Sequence, residues 1–564
     1  MRATTFSRSG RIMNSKLKGV TAEPDSKERN GLRGTQNWQE TLAPSTREGH
    51  LPFYPFPARP QPYEYRRRSR HRAWLDRMKG GAIMKHFTRH TTSVSKPGSR
   101  RRWYTMVRSG VAFVTTLLAG LMLLLLLPAG VRADSFTVTN LKDSGYARYL
   151  CTNPQYKDHF CTLRAAILAS NANGQENTIY LPAGDYKLKS GLPPITSPRL
   201  LTIQGVGAGL TSIRGSCAGL SRDSGHGTCG AANEFRVFTV TSTGALWLIG
   251  VTISDGQDGY GGGIYNAGSL MVYTSTIKNN LAHMYGGGIY NKGWMYLQDT
   301  TVRNNFVHNF VGGGIFNFGT TEIAYSTISG NKTTHGYGAG IANGSLSPGS
   351  PGYKTLTLYN STISGNESTG PGESNRFDAG GILNYGDGEV WLKNVTITAN
   401  AVPGTFRSAG GVLNRGGFYF SNTIIAGNQG GGIPSDCGGQ MSTLGGNLVG
   451  TTNRDCQIMP RHDWDPKSRS RANDQIGTGS YSINPQLARL ADNGGNTCTH
   501  ALNPTSPAIN NAWTGRPDEH PFVCGRYDQR WVTRPSTTNG GYNCDIGAFE
   551  LTGQNTRLGL TCTE

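Results

Sequence analysis

"GGGIYN" at 261–266 returns as "GGGIYN" at 286–291 and as "GGGIFN" at 312–317. The pattern reaches further than the glycines. An Ile or Val is followed two places later by Asn at Ile264 and Asn266, Ile289 and Asn291, Ile315 and Asn317, Ile341 and Asn343, Ile382 and Asn384, and Val412 and Asn414, with first steps of 25, 26 and 26 residues. A second word follows each time, as "STIKNN" (275–280), "TTVRNN" (300–305), "STISGN" (326–331 and 361–366), "VTITAN" (395–400) and "NTIIAGN" (422–428). Short alternating runs such as "SLMVY", "TEIAY", "TLTLY" and "EVWLK" lie between the two words. Each unit is therefore predicted to hold three short strands joined by turns.

Such a unit cannot bury an apolar face alone, but stacked copies can. Stacking places each strand about 4.8 Å from its equivalent in the next turn, in a parallel ladder. Parallel crossovers are right-handed, so the expected fold is all-β: a right-handed parallel β-helix, a solenoid with a short capping helix at its start. The isoleucines should point inward and stack. Glycine should let the backbone bend, and Asn at the turns should tolerate positive φ and form amide ladders between coils. A phosphate-binding glycine loop is excluded, because these glycines repeat, precede strands rather than a helix, and lack the Lys that such a loop requires. Calcium-binding nonapeptide repeats are excluded too, since they need Asp at a shorter period.

The formal net charge of +20 suggests nucleic acid until it is located: residues 1–108 carry 24 Lys and Arg against 7 Asp and Glu, leaving the rest of the chain close to neutral. No nucleic-acid partner is expected for the folded body. Residues 1–105 show no sustained apolar period and are read as a basic leader, disordered or upstream of the true start. Residues 106–133, preceded by "RRRW" at 100–103, have the layout of a signal peptide: Arg108, the apolar run 110–127, then Pro128 and small residues before Asp134. An uncleaved membrane anchor through 110–127 is the alternative. Both readings export the body, making it secreted or cell-surface. All ten cysteines follow this signal, which suggests disulfides. Cys151 with Cys161, Cys217 with Cys229 and Cys437 with Cys456 are close pairs, while Cys498, Cys524, Cys544 and Cys562 allow three connectivities. No CxxC supports a zinc or redox motif, and no metal or cofactor is expected.

The ends of a β-helix need covers. "CTLRAAILASNAN" at 161–173 places Leu163, Ala166, Ile167 and Ser170 on one helical stripe, with Thr162 as N-cap, and reads as a lid for the first coil. With "NTIYLPAGDYKL" after it, this stretch resembles the CSLREA domain of secreted bacterial β-helix proteins, although Ala165 stands where that motif has Glu. "NPQLARLADNGGNTCTHALNPTSPAINNA" (484–512), "DQR" (528–530) and "CDIGAFE" (544–550) resemble the choice-of-anchor Q segment that accompanies such helices. The resemblance, which includes repeats of the pectate-lyase-like superfamily, covers nearly all of 134–552. It implies 134–200 as an N-terminal cap, 201–435 as β-helix repeats and 436–564 as terminal coils with a C-terminal cap. It also implies a fold and export more than an activity.

Polysaccharide cleavage would need facing carboxyls or a calcium-binding acidic cluster with a basic partner. Asp255 and Asp258 in "SDGQDGYGGG" are near neighbours, but a turn explains them. His226 in "GHG" reads as a loop residue and His500 as structural. No catalytic residue is assigned. Rings recur instead: Tyr260, Tyr285, Phe310, Tyr337, Phe377 and Phe406 precede the first word, and Tyr265, Tyr290 and Phe316 lie within it. One coil apart, these form columns that either stack on themselves or offer a stripe to sugar rings. Tyr260, Tyr265, Tyr285, Tyr290, Phe310, Phe316 and Tyr337 are the candidate binding residues. The expected function is an exported β-helix that binds a polysaccharide or cell-surface glycan without catalysis. A polysaccharide lyase or glycoside hydrolase is the alternative, and a purely structural envelope or matrix protein the third.

Overall fold

A computed structural model describes residues 134–143, 148–216, 234–345, 354–369, 378–404, 408–460, 473–513, 524–535, 543–552 and 559–562. The leader, the 110–127 segment, Cys217, Cys229, His226, Phe377 and Phe406 lie outside the described residues. Among the described residues no helix is long and apolar enough to cross a membrane.

The body is a right-handed parallel β-helix. One coil runs through Ile264–Asn266, Ser269–Tyr273, Thr276–Lys278 and Leu281–Tyr285. Each segment pairs in parallel with its counterpart in the next coil, as Ile264 with Ile289, Leu270 with Met295, Ile277 with Val302 and Leu281 with Phe306. There are thus four strand columns, not three. The fourth was hidden because it starts with adjacent apolar residues, Leu281–Ala282 and Phe306–Val307, which break the alternation that marks a strand. We call the columns first to fourth in chain order within a coil.

Ile264, Ile289, Ile315, Ile341, Ile382 and Val412 stack inside the coil with no exposed surface, as do Ile253, Ile277 and Val302 of the third column. Each such side chain contributes roughly 1.5–3 kcal/mol by leaving water. Two asparagine ladders run through the same interior. In the first, each Nδ2 of Asn266, Asn291, Asn317, Asn343 and Asn384 donates to the Oδ1 of the next member at 2.7–2.9 Å, ending at Asn414. In the second, Asn280, Asn305, Asn331, Asn366 and Asn400 donate in the same way to the next member, and Asn428 donates to Asp436 at 2.8 Å. The ladders bear out the expected amide stacking, but the positive φ falls on the residue before the second ladder: Asn279, Asn304, Gly330, Gly365, Ala399 and Gly427. A buried amide with every hydrogen bond made fixes the register between coils, since a slipped coil would orphan it.

At the start, α1 (Tyr149–Thr152), α2 (Lys157–Phe160) and α3 (Leu163–Asn173) form the lid. Thr162 caps α3 by accepting from the Ala165 N–H at 3.2 Å, and Gly174 ends it at φ 66°. Leu163, Ala166 and Ile167 join the core of the first coils. Ala165 is fully buried there, so the missing Glu leaves no unpaired charge inside. Disulfides join Cys151 to Cys161 and Cys437 to Cys456, as the spacing suggested, and Cys498 to Cys562 and Cys524 to Cys544 among the last four.

The chain after the last coil folds back along the outside of the third column. Thr327 donates to the Cys498 carbonyl at 2.6 Å, Thr362 to the Gln529 amide oxygen at 2.7 Å, and Asn394 to the Cys524 carbonyl at 2.5 Å. The "DQR" and "CDIGAFE" words lock this segment. Arg530 holds Asp528 at 2.7 Å, donates to the Glu550 carbonyl, and lies 3.7 Å over the Phe549 ring. Gln529 points the other way, donating to Thr327 and Thr497 at 2.9 and 2.8 Å.

Candidate functional site: a re-entrant corner lined with rings

The glycine word makes a corner that bends the wrong way for a convex coil. Gly261, Gly286, Gly312 and Gly338 take φ of 63–76°, which L side chains avoid. In the first of these coils the next two glycines also keep room: a Cβ on Gly262 would lie 2.0 Å from the Leu281 carbonyl oxygen, and one on Gly263 2.7 Å from that of Gly288, whereas after Gly338 the chain has Ala339 in Gly262's place. The fourth column of one coil and the first column of the next therefore meet at an angle that is concave outside. Outward side chains from the two columns converge.

Those side chains are the predicted rings. Tyr265, Tyr290 and Phe316 stand in register, with ring centroids 5.3 and 5.4 Å apart. Tyr260 stacks on Tyr285 at 5.4 Å, and rings cross between columns, Tyr285 to Phe316 at 5.1 Å and Tyr260 to Tyr290 at 5.7 Å. Tyr285, Tyr290 and Phe316 belong to a cluster separate from the core, with Val311, Ala342, Leu383 and Leu413. Burial pushes the Tyr290 phenol up to about 12, with Tyr265 adding to the effect, so it stays neutral. Tyr260 is 37% exposed and Phe310 39%.

Two expectations need correction. Phe310 is one place out of register, since Val311 is the residue bridged to Tyr285 and Tyr337; its ring still lies 5.3 Å from that of Tyr285, at the partly exposed rim of the corner. Phe316 is only 3% exposed, covered by its neighbours, and offers no face to a ligand.

Asp255 and Asp258 do not form a facing pair. Asp258 accepts from the Arg236 guanidinium at 3.0 and 2.5 Å, and that guanidinium lies 4.9 Å from the Tyr265 ring centre. Asp255 sits at φ 58°, accepts from Ser254 at 2.8 Å and has Arg214 at 3.9 Å. Burial pushes its carboxyl up, against the pull of Ser254 and Arg214. His500 accepts from Ser364 at 2.8 Å and donates to the Ala488 carbonyl at 2.7 Å; it is 4% exposed and Ser364 has no exposed surface, so no substrate reaches them.

Other outward residues escaped the sequence reading. The alternation that sends Leu246 and Leu248 inward sends Trp247 outward, and Tyr296, Glu322, Trp391 and Tyr419 follow along the second column. Tyr359 donates to Glu322 at 2.9 Å and Trp391 stacks on Tyr419 at 4.3 Å. The signal is present in the alternation of "LWLI" (246–249), "EVWLK" and "FYF" (418–420). On the first coils of the third column, Asp185, Arg214, Asp255 and Lys278 form a mixed charged strip, with Arg214 donating to Asp185 at 2.8 Å. Burial and then Arg303 push the Lys278 amine down, and Asp255 opposes this. Among the described residues no group of three or more His, Cys, Asp or Glu is placed to hold a metal ion.

No family model matches the chain, and no curated protein matches it. Among solved structures, pectate lyase Pel9A aligns over 75% of this chain and 98% of its own with 12% identity and a TM-score of 0.37. The A-module of Azotobacter vinelandii mannuronan C-5 epimerase AlgE4 aligns over 56% of this chain and 92% of its own, with 15% identity and a TM-score of 0.25. A catalytic domain of an α-1,3-glucanase in complex with tetrasaccharides aligns over 57% and 65%, with 13% identity and a TM-score of 0.20. All are similar in architecture only. The coil seen here places the chain in the class of parallel β-helix proteins.

Proposed function

We propose that this protein is an exported, cell-surface or extracellular β-helix that holds an extended glycan along the re-entrant corner and does not cleave it. The observation that carries the reading is a corner of neutral rings, repeated at one-coil spacing and open to solvent at Tyr260 and Phe310. A pyranose has an apolar face that stacks on such rings and an equatorial edge that takes hydrogen bonds. The four disulfides among the described residues fit folding in an oxidising, extracellular compartment. The CSLREA-like and choice-of-anchor Q-like ends support surface display, the first as a lid and the second as a side strap.

The full-length protein, tested on a glycan array with a parallel assay for released sugars, should bind at least one polymer and release nothing. Tyr260→Ala with Tyr265→Ala should weaken that binding about tenfold or more, as expected for lost stacking on two rings. Cleavage of a polymer that the protein does not retain would sink the reading.

The charged strip favours one second reading, a polysaccharide lyase or glycoside hydrolase. Lys278, whose amine burial and Arg303 push down, would be the proton acceptor if the protein were a lyase. Release of oligosaccharides, unsaturated from a lyase or saturated from a hydrolase, that disappears in Lys278→Met would establish it in place of the first.

A further inference from the structure

The corner that is packed with rings in its first coils empties where the repeat ends. Along the column that starts at Tyr265 the residues become Ala342, Leu383 and Leu413, and the opposite wall ends at Ser408 and Ala409. These shorter side chains leave a cavity of about 540 Å³, lined by Ser408, Ala409 and Leu413 on the corner side. Its size falls in the range of about 300–1,000 Å³ in which small ligands are held.

Its walls are built by two departures from the regular coil. Gln429–Gly430 turns back against Ile433–Pro434 as an antiparallel hairpin, and Ile433 is left 52% exposed at the rim. Opposite it, Cys437–Thr443 and Leu448–Pro460 pair with a register shift: Cys437 faces Thr452 but Gly439 faces Cys456. The longer strand thus carries a bulge, and a bulge re-aims side chains. Asn453 and Asp455 from this bulge line the cavity, and the Cys437–Cys456 disulfide fastens its base. Asn453 is further held by a hydrogen bond to Ser435 at 2.9 Å.

We infer that this end of the corner is a pocket for a neutral, disaccharide-sized sugar. Ile433 supplies an exposed apolar edge at the rim, the nearly buried Leu413 and Ala409 form the floor beneath it, and Asn453, Gln440 and Gln457 supply amides. That pairing suits a molecule with one apolar face and a hydroxyl-bearing edge. One carboxylate, Asp455, and one guanidinium, Arg415, line the cavity, so its charge does not select an ionic ligand, while a carboxylate is a strong acceptor for vicinal hydroxyls. The inference deepens the reading of the corner as a glycan surface: a chain lying along the rings would end here, so the pocket would read its terminal units.

Titration calorimetry of the full-length protein with cellobiose, laminaribiose, maltose and N,N′-diacetylchitobiose tests the pocket apart from the rings. At least one should bind. Leu413→Trp, which fills the cavity without touching Tyr260 or Tyr265, should weaken it more than tenfold, and Asp455→Asn, on an exposed strand, about tenfold. The Asp455→Asn variant keeps the test valid if Leu413→Trp fails to fold. Binding of none of the four disaccharides, or binding that neither variant changes, overturns the pocket. Disaccharide binding without any polymer binding supports the pocket and removes the extended corner reading, whereas polymer binding lost only in the tyrosine variants and no disaccharide binding removes the pocket alone.

Discussion

The re-entrant corner and the outer face of the third column come from the same repeat, yet the corner presents rings to solvent while the face is covered by the chain's own end. Both are columns of equivalent residues one coil apart. In the corner the equivalents are Tyr260 and Tyr285, or Tyr265, Tyr290 and Phe316, bulky enough to fill the concave angle by touching each other. On the face they are Thr327, Thr362 and Thr396, short hydroxyls that no neighbour in the coil uses up and that the returning chain pairs with through Cys498, Gln529 and Ala548. A solenoid multiplies whatever it places on a column, so side-chain size and hydrogen-bonding capacity decide whether a column is self-sufficient or needs a partner.

Breaking the corner should have the largest effect. Gly262→Ala drives a methyl group to within 2.0 Å of the Leu281 carbonyl oxygen and 2.8 Å of that of Gly287, both backbone atoms that cannot move alone. It should cost more than about 3 kcal/mol in urea unfolding, by strain rather than by lost burial. The face should break more gently. Gln529→Ala removes the amide that bonds Thr327, Thr497 and Thr362, all buried, and should cost about 2–4 kcal/mol because the Thr362 hydroxyl loses its acceptor and the Thr327 and Thr497 oxygens lose a donor without gaining water. If Gln529→Ala proved the more damaging of the two, the strap rather than the corner would hold the coils together.

The smallest effect is a slope. Burial pushes the Asp378 carboxyl, in the corner's own wall, up to about 7, while hydrogen bonds from Ser368 and the Gly338 and Ala379 N–H groups pull it down. In the unfolded chain it ionises near 4. Between about pH 4 and pH 7 the unfolded chain gives up this proton and the native chain keeps it, so stability should fall with rising pH across that window and level off above it. Asp436, pushed up to about 6 by burial at the end of the second asparagine ladder, adds to the fall with the same sign. Asp378→Asn should flatten the decline in urea midpoints between pH 5 and pH 8, and an unchanged slope would show that the carboxyl is already ionised in the native protein.

Much of this fold was legible beforehand, because a repeat states its own register. The Ile-x-Asn word gave the inward stack and the first ladder, since period-two alternation fixes which residue of a short strand faces in. The N-cap at Thr162 and the local disulfides were readable because each depends on residues close in sequence. The candidate site was legible only in part. Tyr265 and Tyr290 stand in the column expected of them, but Phe310 does not, because one residue added before the third glycine word moves it out of register and puts Val311 in its place. Trp247, Trp391 and Tyr419 are the outward half of alternating runs whose inward half builds the core.

By itself, then, the sequence determined the coil, its period and which side chains face its interior, because those follow from contacts between neighbouring turns about 25 residues apart. Tertiary structure alone decided that the glycine corner is concave, that its two ring columns converge, that the corner opens at Leu413, and that Gln529 reaches back to Thr327. Each of these depends on the angle between columns or on where a distant segment lands, and neither is written in the repeat.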